Sequence, residues 1–447
     1  MGIKGLPKLI KDIAGNYATK PYKFSKFRGM TVAVDASLII HQTVIALRSS
    51  GKDMKNSKGE ITSHLHGLFY KILIFLQNGM KPIFVFDGKA PNIKNKTLKR
   101  RLERKAQAEK NLEKLSDSEG EEYIKHFKQT FKPSKENIKE ALILLDLMGI
   151  PYIIAPGEAD VVCAWLSARY DASGKRYVKG VCSDDSDMLA FGAHYLFKDM
   201  LRFMSKDKEV QVISLHKALV KMNLTMDQFT DLCVLLGCDY CDNLKGIGPK
   251  TAYRHLRKFG SLENVLNFLS KKNKNSSDTD SSDGIDKTNE ECLVDARNYF
   301  RNAIKKIDES DEFVLTDDNL NLRKFQYEEL MDFMCVKHNF DVLRIQTGIT
   351  RLEEYQKKME VVRENKKIVH KILQPRSENY IFKALSDDDD IEFLSSSDDD
   401  KMPSKGVKAK KSMLKNLTKK IAMDSESDGS ENSAHNSPDI SLSDQKQ

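Results

Sequence analysis

The chain has 447 residues, with 73 Lys and Arg against 65 Asp and Glu, a formal net charge of +8, and 40% apolar residues. That length suits roughly two to three domains with a sizeable core, and it excludes a small stapled scaffold or a wholly disordered chain. Seven cysteines, an odd number scattered over a long sequence, argue against a disulfide framework and for a reducing intracellular setting.

In chain order, the β-branched and aromatic runs Thr31 to Val34, Pro82 to Phe86, Pro151 to Ile154 and Val178 to Cys182 read as buried strands. Helical spacing separates them. Ile61, Leu65, Leu68, Phe69, Ile72, Leu73 and Leu76 recur between the first two, and Ala141, Leu142, Leu144, Leu145 and Met148 precede the third. Alternation of this kind predicts an α/β fold with a parallel-rich central sheet flanked by helices. From Lys94 to Lys132 the chain is polar and helix-favouring, an excursion that predicts a helical arch. After Val210 to Ile213 it turns helical. Lys272 to Asn289, rich in Ser, Asp, Lys and Asn, predicts a disordered insert. The tail from about Ala384 carries the acidic runs Asp387 to Asp390 and Asp398 to Asp400 and the basic block Lys405 to Lys420. It too predicts disorder, so the folded part is expected to end near residue 380. No secretory signal and no apolar run of membrane-spanning length is read.

The main chemical signal is where carboxylates fall. Asp35 follows the first strand run, Asp87 the second, and Asp185 and Asp187 the fourth. An open parallel sheet binds ligands at the carboxyl ends of its strands, so unrelated segments deliver acids to one edge. Glu158 and Asp160 follow the third run and the Pro156-Gly157 breaker, at the start of an expected helix Ala159 to Ala168; Asp239 follows a helix. Acids at such positions also cap helices. Converging carboxylates repel unless cations neutralise them, and an oxygen-only ligand set suits Mg²⁺ or Mn²⁺. Their number fits a pair of ions about 3.5–4 Å apart, the arrangement used for phosphodiester hydrolysis. Asp184 reads equally as a bystander or a supporting group.

Lys94, Lys96, Lys99, Arg100, Arg101, Arg104 and Lys105 come soon after Asp87. Lys94, Arg101 and Lys105 can share one helix face, and position rather than charge alone favours phosphate contact over a solvated face. Gly246-Ile247-Gly248-Pro249-Lys250 lies between two helical patterns and has the form of a helix-hairpin-helix turn that reads a DNA backbone. Cys238 and Cys241 make one C-x-x-C, but no second Cys/His pair stands at zinc spacing, so structural zinc is not expected.

Met1-Gly2-Ile3-Lys4-Gly5-Leu6, Val34-Asp35-Ala36-Ser37, Val85-Phe86-Asp87-Gly88-Lys89, Ala155-Pro156-Gly157-Glu158-Ala159-Asp160, Asp185-Ser186-Asp187, Leu236-Gly237-Cys238-Asp239-Tyr240 and the Gly246 to Lys250 string occur in one order. That order resembles the XPG-type structure-specific nucleases, and flap endonucleases most, over about residues 1 to 355. The resemblance implies two Mg²⁺, with Mn²⁺ able to substitute, and a monovalent cation at the helix-hairpin-helix. It implies Asp35, Asp87, Glu158 and Asp160 as ligands of one metal and Asp185, Asp187 and Asp239 as ligands of the other. Lys94 and Arg101 match the catalytic cations aimed at the scissile phosphate. Arg48, Lys71, Gly237, Gly246, Gly248, Lys250 and His41, with Glu158 and Asp239, fall at DNA-contacting positions.

Three departures stand out. Asp160 replaces the usual Glu, Lys71 an Arg and His41 a Tyr. The resemblance divides the chain into residues 1–107, an N-terminal nuclease region; 108–133, arch and linker; 134–260, an internal nuclease region with the hairpin; 261–383, a helical extension with the insert at about 272–289; and 384–447, the tail. It implies an Mg-dependent 5′ flap endonuclease of replication and repair with some 5′ to 3′ exonuclease activity. Its substrate would be branched DNA with a 5′ single-stranded flap. Rival readings are a 5′ exonuclease or junction resolvase of the same family, an RNA-directed nuclease, and an inactive DNA-structure binder. No intact sliding-clamp peptide is present, since Arg351-Leu352-Glu353-Glu354-Tyr355-Gln356 has one aromatic and no leading Gln. Clamp binding through that motif and membrane binding are therefore not expected, and a monomer is. The basic tail block points to a nuclear location if the protein is cellular, or to the site of viral DNA replication if virus-encoded.

Overall fold

β-Branched and aromatic runs bounded by turn residues form seven strands: β1 (Thr19–Lys23), β2 (Thr31–Asp35), β3 (Lys81–Phe86), β4 (Tyr152–Ile154), β5 (Gly180–Cys182), β6 (Tyr195–Lys198) and β7 (Glu209–Ser214). A computed structural model of the chain describes residues 2–115, 120–200, 209–244, 246–275, 287–311, 313–355 and 357. All of these fall within Met1–Ser377, one of the two units into which the chain divides.

The strands make a single sheet in the order β1-β7-β6-β5-β2-β3-β4. β2 pairs in parallel with β3 and β5, β3 with β4, and β5 with β6, whereas β7 runs antiparallel to β6 and β1. The parallel-rich centre was legible because Val32, Ala33 and Val34 are all buried, as are Phe84, Val85 and Phe86. Strands covered on both faces read as continuous apolar runs. β1 and β6 were not anticipated. β1 is an edge strand that buries little beyond Thr19, and its Pro21 is tolerated only at an edge.

The helices are α1 (Leu6–Ala18), α2 (Ala36–Leu47), α3 (Ser63–Gln77), α4 (Asn95–Leu112), α5 (Glu121–Gln129), α6 (Lys135–Leu147), α7 (Ala159–Ala168), α8 (Asp187–Ala190), α9 (Leu215–Met222), α10 (Met226–Leu236), α11 (Pro249–Phe259), α12 (Leu262–Asn275) and α13 (Lys287–Asp308). One face of the sheet packs on α1, α7 and α10 through Ala33, Val85, Ile153, Val181 and Leu196. On the other, α2 and α3 lie against β3, and Phe75 meets Phe84 edge-on with ring centroids 6.5 Å apart. Phe84 is fully buried at the middle of this layer. Phe84→Ala is expected to cost about 3–5 kcal/mol of stability; a urea unfolding midpoint equal to that of the parent chain would refute the packing described.

The polar excursion forms two helices, α4 and α5, joined through 113–120. The expected insert needs correction at both ends. α12 continues to Asn275 and α13 already begins at Lys287, because the amphipathic pattern outlasts the shift in composition. The rest of the insert, 276–286, and the tail 384–447 lie outside the described residues, as does the expected end of the fold near residue 380. Among the described residues no helix is long and apolar enough to cross a membrane.

Candidate active site

The carboxyl ends of β2, β3 and β5 converge because these strands are neighbours in the sheet. Asp35 ends β2 and N-caps α2, accepting from the Leu38 N–H at 2.9 Å. Asp87 follows β3 and accepts from the Ala159 N–H at the start of α7, also at 2.9 Å. Asp35 thus caps its own helix, while Asp87 holds the first N–H of α7 from a neighbouring loop, and each bond fixes a carboxylate's orientation. The two loops are pressed together at Gly88, whose N–H donates to the Gly157 carbonyl at 2.7 Å. A Cβ on Gly88 would lie 2.0 Å from the Ala155 carbonyl oxygen, so no side chain fits.

Glu158 occupies the N-cap position of α7 without a side-chain cap bond and is buried. Its Oε2 accepts from the hydroxyls of Tyr240 at 2.6 Å and Tyr299 at 2.8 Å, and its Oε1 receives the Lys94 ammonium. Tyr299 comes from α13, far along the chain, and nothing local marked it. Asp160, half-buried, sits in the first turn of α7. Beyond β5, Asp185 accepts from the Asp187 N–H at 3.0 Å, and the Asp185 N–H donates to Ser183 Oγ at 3.0 Å. Asp187 is buried, with no hydrogen-bond partner at Oδ1. Gly2 is packed against this turn at φ 82°, and a Cβ there would fall 2.1 Å from Asp185 Oδ1. That contact between the chain's start and its middle had no sequence signal beyond the glycine itself.

Asp239 closes the cluster from the loop after α10. It accepts from Arg101 at 2.6 Å and lies 3.3 Å from the Lys94 ammonium. Lys94 thus bridges Glu158 and Asp239. Burial opposes its charge, but Glu158, Asp160 and Asp239 outweigh that and raise its pKa. Arg100 at 2.8 Å and Lys96 at 3.4 Å bind Asp242 beside it, tying α4 to the same loop.

The electrostatics are those of a cation site. Burial, then Asp87 and Asp185, pushes Asp35 up to about 7. Burial and the neighbouring acids also raise Asp160 and Asp187, and burial raises Asp185. All seven donors supply oxygen only, and a buried carboxylate oxygen of Asp187 is unpartnered, so the residues fit hard divalent cations. Among the described residues no group of three or more His, Cys, Asp or Glu stands at metal-holding spacing. A pH effect follows. Asp35 titrates higher in the folded state than in the unfolded chain, where Asp is near 3.9, so between those values the metal-free folded state binds more protons. Its stability is therefore expected to rise as pH falls from about 7.5 to about 5.5, and Mg²⁺ is expected to raise Tm more at the higher pH. Thermal melts in chelator and in Mg²⁺ at both pH values check this, and a chelated protein more stable at the higher pH would contradict it.

The remaining predicted contacts divide. His41 is half-buried beside Phe131, ring centroids 6.0 Å apart, and burial, Arg101 and Arg48 lower its pKa. Burial brings Lys71 down to about 8, opposed by Asp184. Asp184 itself accepts from Gln42 at 2.8 Å and the Asp199 N–H at 2.9 Å, so it braces the strand-end loops. Arg48, at a DNA-contacting position by resemblance, has protein partners on all sides here. It is buried, bonds Asp53 through two nitrogens at 2.7 and 2.9 Å, donates to the Phe127 carbonyl and Thr130 Oγ1, and stacks 4.3 Å from the Phe127 ring. Nη1 pins the end of α5, while Nε and Nη2 hold Asp53. Gly237, at φ 86°, has Asn243 N 2.7 Å from where a Cβ would stand. Gly246 adopts φ 74°, and Gly248 begins α11 without a side-chain cap. Lys250, 76% exposed, pairs with Asp12 at 3.4 Å.

Acids at the strand ends beside cations of α4 match a phosphodiester hydrolase. Known proteins bear this out. The XPG N-terminal domain matches residues 1–108 and the XPG I-region residues 149–239. Flap endonuclease 1 of Nematostella vectensis is 37% identical over 353 residues, covering 79% of this chain and 87% of that protein. The Homo sapiens flap endonuclease 1 is 36% identical over 357 residues with the same coverage. The flap endonuclease-1 structure from Methanococcus jannaschii superposes with a TM-score of 0.54 at 27% identity, over 76% of this chain and 97% of that one. The catalytic core of Rad2 in complex with DNA substrate gives 0.54 at 25%, over 78% and 100%. The chain belongs to the flap endonuclease family of XPG-type nucleases, whose members are metal-dependent.

Proposed function

We propose that this protein binds branched DNA and hydrolyses a phosphodiester at the base of a 5′ single-stranded flap. The observation that carries this reading is the meeting of seven carboxylates with Lys94 and Arg101 at one sheet edge. Asp35, Asp87, Glu158 and Asp160 would hold one Mg²⁺, and Asp185, Asp187 and Asp239 a second. Bound there, such ions supply an activated water and neutralise charge on the phosphate. Lys94 and Arg101 exchange their carboxylate partners for the phosphate oxygens and stabilise the charge that develops on them. Glu158 keeps its orientation through Tyr240 and Tyr299 while Lys94 moves. His41 and Lys71 are assigned to the DNA near the cut, and Arg48 to fixing the arch that borders it.

Gly246, Gly248 and Lys250 would take the duplex backbone, since the uncapped start of α11 carries a partial positive charge for phosphate, with a monovalent cation at the hairpin. These contacts address phosphate rather than bases, so junction shape selects the site. The family regions 1–107 and 134–260 are the working domains in this proposal, with 108–133 the arch and linker, and its setting is nuclear replication and repair. Clamp binding forms no part of it, because Arg351 to Gln356 carries one aromatic and no leading Gln.

The experiment is cleavage of an end-labelled 5′-flap substrate with and without Mg²⁺, beside a nicked duplex and a four-way junction. A Mg²⁺-dependent cut at the flap base, preferred over the other two, is expected. Stepwise shortening of the nicked strand, or tight flap binding without cutting, would overturn the assignment.

A further inference from the structure

The loop that carries Asp239 also holds two thiols that the cleavage reading does not use. Cys241 is buried and Cys238 half-buried, and both are free. Their sulfurs stand 3.5 Å apart. The Cys238 N–H donates to the Cys241 carbonyl at 3.0 Å, so the turn already folds the pair together. The two residues between them both touch the site. Asp239 receives Arg101 and Lys94, and Tyr240 donates to Glu158. A third thiol, Cys292 of α13, donates to the Tyr240 carbonyl at 3.3 Å.

We infer that Cys238 and Cys241 close into a reversible disulfide on exposure to a peroxide, and that closure draws Asp239 and Tyr240 out of place and stops cleavage. This rests on Asp239 being a metal ligand. The reaction balances with hydrogen peroxide as the oxidant. The Cys238 sulfur attacks one peroxide oxygen, the O–O bond breaks, and the thiol becomes a sulfenic acid with release of one water. The Cys241 sulfur then attacks that sulfur, the S–O bond breaks, and the thiol proton leaves with the hydroxyl as a second water. The two thiols lose two electrons, and peroxide gains them.

The geometric consequence is local. An S–S bond is about 2.05 Å long, so the sulfurs must approach by more than an ångström. Only two residues lie between the cysteines, and their backbone must absorb the change.

The test uses the full chain treated with hydrogen peroxide, with disulfides located by peptide mass mapping. Flap cleavage is measured before treatment, after it, and after dithiothreitol. A Cys238–Cys241 link is expected to appear in step with an activity loss of about 10–100-fold, and dithiothreitol should restore both. Cys238→Ser should keep its activity through the treatment, whereas Cys335→Ser, altering a remote half-buried thiol, should not protect. Failure of the link to form at doses that oxidise Cys335 would overturn the inference, as would a link that leaves cleavage unchanged. Wild-type reversal by dithiothreitol tests the switch even if a variant folds poorly. Asp239→Asn separates the two ideas: full cleavage by that variant would remove the ligand role, while the mapping still reports the thiol chemistry.

Discussion

Asp185→Ala is expected to abolish cleavage while leaving most of the binding to flap DNA. The side chain is buried, fixed by the Asp187 N–H, and seated against Gly2. Its loss removes a donor to a bound cation and loosens the turn that presents Asp187. Losing several kcal/mol of transition-state stabilisation lowers kcat by at least about 10³-fold. On the proposed reading, binding depends on the cations of α4 and the hairpin at Gly246 to Lys250, none of which this variant touches. Removing a negative charge near the phosphate even lessens repulsion. Single-turnover cleavage and fluorescence anisotropy on the same substrate measure the two quantities. Near-normal turnover would end the assignment of Asp185, and lost binding with normal melting would show that it holds DNA instead.

Lys94→Ala is expected to lower kcat by about 10²–10³-fold, the range seen when one donor to a developing oxyanion is removed. Lys94 is the only described cation that touches both Glu158 and Asp239. Its charge is secure at any working pH because the surrounding acids raise its pKa. Glu158 does not collapse in this variant, since Tyr240 and Tyr299 still hold its other oxygen. The defect should therefore fall on kcat rather than KM. A loss confined to KM, with kcat unchanged under saturating DNA, would make Lys94 a ground-state binding residue. Arg101→Ala should be milder, because that side chain is 46% exposed and reaches Asp239 alone.

What could be read without coordinates depended on local signals of known period. Val32 to Val34 and Phe84 to Phe86 declared central strands because both faces are buried, and a doubly covered strand has no polar alternation to disguise it. Asp35, Asp87, Glu158 and Asp185 could be placed because strand ends in a parallel sheet open on one edge. Gly246 of the hairpin could be placed because a positive φ leaves few alternatives to glycine.

Tertiary structure decided the rest. β1 exists because β7, far along the chain, offers it an antiparallel partner, and pairing at that distance leaves no trace within either segment; β6 is held between β5 and β7. Arg48 is a buried pin because Phe127 and Thr130, some eighty residues along the chain, join the nearby Asp53 around it. Tyr299 reaches Glu158 from α13 for the same reason. Sequence by itself determined the chemistry of this protein, because ligand type and strand-end position are local. Only the fold decided which groups orient, neutralise and restrain those ligands, because hydrogen bonds and charges act across space whatever the spacing along the chain.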